Sequence, residues 1–340
     1  MSENKQEKIN VIVAADFSDE IMAQLREISP ELNVERHYPD VPPAAWKNAE
    51  ILYTIRHFPE PEEAPRLRWI QLHFAGMESV VTKRIVKEAE DVEITSASGI
   101  HAIQMAEYCL GMMLAFMYNI PRMMELKNSA TWPEKRHEIF APHGLRGMTL
   151  GITGYGSIAR ELARMAHTLG MTVLATNNSL RRTEDDGYAE PDTGDPDGEI
   201  PERLYPPEAT ATMASECDFL VVTTPLTEAT YHQINESVLN SMKRSAILIN
   251  VARGDVVDEK ALISALAAEK IGGAALDVFE EEPLPASSPL WNLDNVIISP
   301  HVSGMTSRYH EKAAALFAEN LRRYLQNQPL FNRLDRERGY

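Results

Sequence analysis

The sequence predicts an α/β protein with a doubly wound parallel sheet, on three observations. Strand-like and helix-like segments alternate almost throughout the 340 residues, a length that suggests two domains. From residue 148 onward the strand-like segments are continuous apolar runs, which is typical of parallel strands covered on both faces. A glycine-rich turn joins the first of these runs to a helical segment, as expected where a ligand binds at such a sheet.

The strand-like segments fall into two groups. The first group lies at 9–15, 51–56, 68–74 and 92–98. The second group has the sequences MTLGITG, TVLATN, DFLVVTT, AILINVA, GGAALDV and NVIISPH. A helical segment, 306–326, follows the last strand. We therefore expect a first domain formed by residues 1–115 plus 305–340, and an inserted domain formed by residues 116–304.

Two other segments are conspicuous. The longest apolar stretch, 102–118, is barely long enough to span a bilayer and contains Glu107. It predicts a buried helix between domains or at a subunit interface, because its apolar residues cover all sides. Residues 183–207 are rich in acidic residues, glycine and proline, which predicts a solvated loop.

The composition excludes several classes of protein. A formal net charge of −17 repels nucleic acid and anionic membrane surfaces, so neither is an expected partner. Cys109 and Cys217 lie far apart and form neither a disulfide framework nor a zinc motif, and we expect no metal. A reducing cytoplasm fits this usage, and the polar N-terminus has no apolar core of a signal peptide.

The glycine-rich turn is a dinucleotide fingerprint, Gly154-x-Gly156-x-x-Ala159. Gly154 permits the sharp turn, Gly156 lets the backbone approach a pyrophosphate, and Ala159 keeps helix and strand close. The N–H groups of Ser157 and Ile158, with the positive end of the helix dipole, would hold the anion. A glycine-rich turn selected only for packing is the alternative.

The end of the next strand bears on the choice of cofactor. Asn177 stands where an acidic residue would bind the adenosine ribose diol of NAD. Arg181 and Arg182 follow, and either could pair with the 2′-phosphate of NADP. We therefore favour NADP over NAD. Alternatively, both arginines are solvated charges that balance the acidic stretch beyond them.

Three further signals stand at strand ends, where an open α/β sheet places its ligands. Arg253 follows one buried strand, Asp277 ends the next, and His301 follows the last. A run of glutamates, 280–282, lies in the turn after Asp277. Each residue alone could be structural, but together they fit reduction of a 2-keto acid. His301 would donate the proton, a neighbouring carboxylate would fix its tautomer, and Arg253 would bind the substrate carboxylate and polarise the carbonyl.

These residues together resemble the D-isomer-specific 2-hydroxyacid dehydrogenase family. The resemblance covers residues 150–332 apart from the acidic segment. Its motifs are GITGYGSIARELARMA, TTPLTEATYHQIN, INVARGDVVDEKAL, ALDVFEEEPLP, ISPHVSG and ENLRRYLQNQPLFN. In the first domain LRWIQLHFAGMESV and SGIHAIQMAEYCLGMMLA match more loosely. The family implies two similar Rossmann-like or flavodoxin-like domains with a cleft between them, and usually a homodimer.

Carried over by position, the resemblance implies that Arg253 is the catalytic arginine and that Glu282 and His301 form the hydrogen-bonded acid–base pair. It implies a contact between Asp277 and the nicotinamide carboxamide. The other implied cofactor residues are Thr224, Pro225, Thr227, Val251 and Ala252. The implied substrate contacts are backbone amides around Ala75, Gly76 and Met77.

The leading interpretation is a glyoxylate or hydroxypyruvate reductase, or a short relative of phosphoglycerate dehydrogenase, acting on a small anionic 2-keto or 2-hydroxy acid. The alternative is an NAD(H)-sensing corepressor, because some proteins of this family sense cofactor without turnover. A formate-type dehydrogenase would require an arrangement of active-site Asn and Gln that this sequence lacks.

Overall fold

The structure, a computed structural model, describes residues 8–77, 80–142, 144–180 and 183–336. The chain divides into two compact units. Unit 1 contains the residues up to Ile100 and those from Thr306 onward, and unit 2 contains His101–Met305.

The described residues form parallel sheets and surrounding helices. The strands are β1 (Ile9–Ala14), β2 (Leu32–Arg36), β3 (Ile51–Thr54), β4 (Trp69–Leu72), β5 (Glu93–Thr95), β6 (Thr149–Thr153), β7 (Thr172–Thr176), β8 (Arg203–Tyr205), β9 (Phe219–Val222), β10 (Ile247–Asn250), β11 (Gly273–Leu276) and β12 (Val296–Ile298). The helices are α1 (Asp19–Arg26), α2 (Pro43–Trp46), α3 (Arg84–Glu88), α4 (Ala102–Met117), α5 (Ile120–Asn128), α6 (Arg136–Ile139), α7 (Ser157–Thr168), α8 (Thr210–Glu216), α9 (Glu236–Ser241), α10 (Glu259–Ala267) and α11 (Tyr309–Leu325).

Unit 1 is built on a parallel sheet in the order β2-β1-β3-β4-β5. The predicted strands of this unit are confirmed, although β3, β4 and β5 end two or three residues earlier than the apolar runs do. The edge strand β2 is absent from the predicted strands, because its last two residues are exposed and its sequence, LNVER, contains no continuous apolar run.

Unit 2 is built on a parallel sheet in the order β12-β11-β10-β9-β6-β7-β8. The six predicted apolar runs correspond to β6, β7, β9, β10, β11 and β12. Alternate residues of the central strand β9 enter separate hydrophobic clusters: Phe219 and Val221 lie in one, and Leu220 and Val222 lie in the other. Both faces are therefore covered, which explains why these strands are apolar throughout.

The strand order of unit 2 reverses between β6 and β9. The chain proceeds from β6 to β7 and β8 on one side, and from β9 to β10, β11 and β12 on the other. The loops that follow β6 and β9 therefore leave the carboxyl ends of these two strands in opposite directions. Open α/β sheets bind ligands in the crevice at such a reversal. Gly154 and Thr224 lie on these two loops.

The long apolar helix α4 belongs to unit 2. Its buried residues Ala106, Cys109 and Met113 join the cluster that covers one face of the seven-stranded sheet, and the helix packs against α7. The division between the units at residue 100 therefore precedes the limit at 115 that the sequence suggested. Among the described residues, none of the helices has the length and apolar character needed to cross a bilayer.

The acidic segment is more structured than the sequence predicted, and the solvated-loop prediction for 183–207 is wrong in two respects. Residues Arg203–Tyr205 form β8, which pairs with β7. Asp195 is buried and accepts hydrogen bonds from the hydroxyl of Tyr155 at 2.6 Å and from two backbone amides. The buried guanidinium of Arg160, on α7, donates to the carbonyl oxygens of Thr183 and Asp195. Composition alone predicted a solvated segment, because it does not reveal that side chains elsewhere in the chain donate hydrogen bonds to this segment.

Candidate active site

The dinucleotide fingerprint lies on the loop between β6 and α7. Gly154 has a φ of +79°, and a Cβ there would lie 3.2 Å from the side chain of Thr224. Its amide donates to Oγ1 of Thr176 at 3.0 Å. A Cβ on Gly156 would meet nothing within 4 Å, so open space lies before the backbone that precedes α7. This loop therefore fits a pyrophosphate, with Ser157 and Ile158 in the first turn of the helix.

The loop after β9 forms the other side of the crevice. Oγ1 of Thr224 donates to Oε1 of Gln233 and lies 3.0 Å from Oγ1 of Thr153. Oγ1 of Thr230 binds the amide of Thr227 and the carbonyl of Pro225. The predicted residues Thr224, Pro225 and Thr227 thus lie on one ordered loop beside the fingerprint.

Thr223, which sequence reasoning missed, joins the two loops by donating to the carbonyls of Thr153 and Gly154.

The residue predicted to contact the adenosine ribose lies at the end of β7. Asn177 follows this strand directly, and its amide donates to the carbonyl of Tyr205 on β8 at 2.9 Å. The predicted phosphate ligands Arg181 and Arg182 lie outside the described residues.

Arg253 lies on the turn after β10. The side chain of Asn250 holds this turn, because it accepts from the amide of Ala252 at 3.1 Å and donates to the carbonyl of Arg253 at 3.0 Å. Val251 and Ala252, which were predicted to contact the cofactor, are buried in this turn. A Cβ on Gly254 would lie 1.9 Å from the carbonyl carbon of Phe279, so only glycine lets the turn approach the loop after β11 this closely.

His301 and Glu282 form the predicted pair. Nδ1 of His301 lies 2.8 Å from Oε2 of Glu282, and Oε1 of Glu282 accepts from the amide of Phe279 at 3.1 Å. A carboxylate can only accept, so Nδ1 carries the proton in this pair. The neighbouring Glu280 contacts a different imidazole, that of His232, at 3.1 Å. The first and third glutamates of the run 280–282 therefore meet different imidazoles.

Asp277 has no exposed surface. Its carboxylate accepts from the hydroxyl of Ser299 at 2.5 Å and from the amides of Val302 and Ser303 at 2.9 and 2.8 Å. These partners all belong to the loop that carries His301. A contact between Asp277 and nicotinamide stays a prediction.

The predicted substrate contacts lie in unit 1, on the loop after β4. Ala75 and Gly76 are half-buried and Met77 is buried. This loop begins at His73, whose ring nitrogen Nδ1 lies 2.5 Å from the hydroxyl of Tyr53 and whose carbonyl accepts from the hydroxyl of Tyr309 at 3.0 Å. Sequence reasoning missed these tyrosines, because they lie far from the loop in the chain.

In unit 2, the residues Arg253, Asp277 and His301 follow the carboxyl ends of the adjacent strands β10, β11 and β12. The same edge of the sheet carries the dinucleotide loop after β6. A proton carrier and a fixed cation at the dinucleotide edge of a doubly wound sheet define a nicotinamide-dependent oxidoreductase as the class of protein.

Comparisons with known proteins identify the family. The model of the D-isomer specific 2-hydroxyacid dehydrogenase NAD-binding domain matches residues 110–303. A glyoxylate reductase of Korarchaeum cryptofilum is 34% identical over 261 residues, which are 76% of this chain and 74% of that protein. An (S)-sulfolactate dehydrogenase of Chromohalobacter salexigens is 36% identical over 240 residues, which are 69% and 71% of the two chains.

A solved structure agrees with these relatives. The D-isomer specific 2-hydroxyacid dehydrogenase of Xanthobacter autotrophicus Py2, in complex with NADPH and MES, is 26% identical and superimposes with a TM-score of 0.77 over 98% of this chain and 100% of that one. The chain belongs to the D-isomer specific 2-hydroxyacid dehydrogenase family of NAD(P)-dependent enzymes. The resemblance seen in the sequence and the predicted fold class are both confirmed.

Proposed function

We propose that this enzyme reduces a small 2-keto acid, such as glyoxylate or hydroxypyruvate, to the corresponding 2-hydroxy acid, the D isomer where the product is chiral, and that it also catalyses the reverse oxidation. The observation that carries the proposal is the 2.8 Å hydrogen bond between His301 and Glu282 at the edge of the sheet that holds the dinucleotide loop. This pair presents a general acid–base group where a nicotinamide would lie.

The chemistry divides among the residues as follows. Nicotinamide, when bound, supplies or accepts the hydride. During reduction His301 donates a proton from Nε2 to the carbonyl oxygen, and in the reverse direction it removes that proton from the hydroxyl group. Glu282 keeps the proton on Nδ1 and stabilises the protonated ring. The guanidinium of Arg253 binds the substrate carboxylate and polarises the carbonyl.

The binding residues follow the same assignment. The amides of Ser157 and Ile158 hold the pyrophosphate beside Gly154 and Gly156. The remaining residues that we assign to the cofactor are Asn177, Arg181, Arg182, Thr224, Pro225, Thr227, Val251, Ala252 and Asp277. The residues that we assign to the substrate, besides Arg253, are Ala75, Gly76 and Met77.

A keto-acid panel tests the proposal. Oxidation of NADPH and of NADH would be followed with glyoxylate, hydroxypyruvate, pyruvate and 3-sulfopyruvate, the last because a relative is named a sulfolactate dehydrogenase. We expect turnover of at least one of the first two acids. The glycerate formed from hydroxypyruvate should be the D isomer, whereas the glycolate formed from glyoxylate has no stereocentre. Tight cofactor binding without turnover of any acid would contradict the proposal and favour a cofactor sensor.

Cofactor preference gives a second test. We infer a preference for NADP, because Asn177 does not repel a 2′-phosphate and two arginines follow it in the chain. Replacing Arg181 and Arg182 together by Ala should weaken NADP binding more than NAD binding, since only NADP carries the extra phosphate. Fluorescence titration with each cofactor measures both constants, and equal losses for the two cofactors would refute this role.

We also propose a cytoplasmic homodimer. On α4 and α5 of unit 2 the apolar side chains of Leu114, Ile120, Met123 and Met124 are each 38–50% exposed. Apolar side chains clustered on a surface favour burial against another chain. Light scattering should give about twice the chain mass of 38.1 kDa, and a monomer would refute the dimer. The buried free thiols of Cys109 and Cys217 fit a reducing compartment.

A further inference from the structure

The segment from Ser299 to Gly304, here called the catalytic loop, carries His301 in a left-handed backbone conformation with a φ of +53°. This conformation is unfavourable for a residue other than glycine, and it persists only where the surrounding structure holds it. The position of the imidazole therefore depends on the contacts that hold the catalytic loop.

Asp277 provides the first set of these contacts. Its carbonyl accepts from the amide of His301 at 2.8 Å, and its two carboxylate oxygens accept from the next two amides, those of Val302 and Ser303. Three consecutive amides of the catalytic loop therefore bind one residue. Asp277 has no exposed surface, so water does not compete for these hydrogen bonds.

A chain of two hydroxyl groups extends from this carboxylate to α4. Ser299 lies 2.5 Å from Oδ1 of Asp277, and the hydroxyl of Tyr108 lies 2.6 Å from Oγ of Ser299. A carboxylate cannot donate, so Ser299 must use its one hydrogen on Asp277 and Tyr108 must donate to Ser299. Burial raises the pKa of Tyr108 to about 12, so the phenol remains a donor throughout the neutral range.

The same helix also reaches the other end of the catalytic loop. Nδ1 of His101, the residue that precedes α4, lies 3.1 Å from the carbonyl of Gly304. Further along, α4 packs against α7, the helix that begins at the dinucleotide fingerprint. One helix thus contacts both ends of the catalytic loop and supports the dinucleotide helix.

We propose that Tyr108 and Ser299 are positioning residues, which act through Asp277 to hold His301 where its Nδ1 meets Glu282. The proposal rests on the proposed function, because it takes His301 as the acid–base group. Without the hydroxyl chain, Asp277 loses one of its hydrogen bonds, the catalytic loop gains freedom, and the imidazole meets Glu282 for a smaller fraction of the time.

The test uses Tyr108→Phe, Ser299→Ala and the double variant, with Ser299→Thr as the variant that keeps the hydroxyl. Tyr324→Phe is the matched control, because it removes the hydroxyl of a half-buried tyrosine in unit 1. Three quantities are measured: kcat with the best keto acid, the dissociation constant of the cofactor, and the ¹⁵N NMR shifts of the His301 ring. The NMR measurement uses the protein without cofactor, and comparison with His301→Asn assigns the signals.

We expect Tyr108→Phe and Ser299→Ala each to lower kcat about fivefold to tenfold, the loss that corresponds to one hydrogen bond. The double variant should lose no more than the stronger single variant, because both residues belong to one chain of hydrogen bonds. The ring of His301 should change from one Nδ1-protonated tautomer to a mixture of tautomers. Cofactor affinity should not change, and Ser299→Thr and Tyr324→Phe should behave as the wild type.

Two results would overturn the proposal. The first is a wild-type tautomer in both Tyr108→Phe and Ser299→Ala. The second is a loss of kcat accompanied by an equal loss of cofactor affinity, which would indicate a purely structural role. If the wild type reduces no keto acid, the proposed function fails, but the NMR shifts still decide whether the hydroxyl chain positions His301.

Discussion

Replacing His301 should lower turnover by on the order of a hundredfold or more and leave cofactor affinity nearly unchanged, because general acid–base catalysis is lost while the dinucleotide loop is untouched. His301→Ala and His301→Asn should be compared. Asn tolerates the left-handed conformation found at this position, so a loss shared by both variants reports the missing imidazole rather than a distorted backbone. Steady-state kinetics give turnover, and fluorescence titration gives cofactor affinity.

The chain offers a matched control in His232. This imidazole also has a positive φ, +50°, and its Nε2 lies 3.1 Å from Oε1 of Glu280. His232→Asn removes a histidine–glutamate pair of the same kind and should leave turnover within about twofold of wild type. Wild-type turnover in the His301 variants would remove His301 from the mechanism.

Gly254→Ala should be the most damaging small substitution in unit 2. The added Cβ would lie 1.9 Å from the carbonyl carbon of Phe279, and rotation of a side chain cannot relieve a clash between backbones. We expect the free energy of unfolding to fall by about 1–3 kcal/mol or more. Displacement of the adjacent Arg253 should reduce kcat/KM by on the order of a hundredfold. Chemical denaturation and steady-state kinetics measure the two effects.

Gly111→Ala provides the opposite case. Gly111 lies within α4, and a Cβ there would meet nothing within 4 Å. Alanine favours a helix over glycine, so this variant should gain about 0.5–1 kcal/mol of stability and keep its activity. If both glycine variants had the same stability, the close approach of the turn at Gly254 would be refuted.

Much of the fold could be predicted because its signals are local. The six apolar runs after residue 148 form six of the seven strands of one sheet, and the fingerprint at Gly154 and Gly156 forms the turn between β6 and α7. Of the edge strands, β5 and β12 lie within strand-like runs of the sequence and could be predicted, whereas β2 and β8 could not. An edge strand has one neighbour and partial exposure, so its residues need not be apolar, and its existence depends on the strand beside it.

The acidic segment shows a different limit. Its composition predicted solvation, and yet Asp195 is buried. The side chains that hold the segment, those of Tyr155 and Arg160, precede it in the chain by more than twenty residues. Composition describes the average preference of a segment for water, whereas a specific donor from another element can make burial of a carboxylate favourable.

The sequence by itself determined the alternation of strands and helices, the dinucleotide turn, and the presence of an arginine, an acidic group and a histidine at successive strand ends. These follow from periodicity and turn chemistry, which act over a few residues. Only the tertiary structure decided that Glu280 meets His232, that Asp277 binds the catalytic loop, and that Tyr108 reaches Ser299 across 191 residues. The physical reason is that a hydrogen bond requires two groups about 3 Å apart, and packing of distant elements sets that distance.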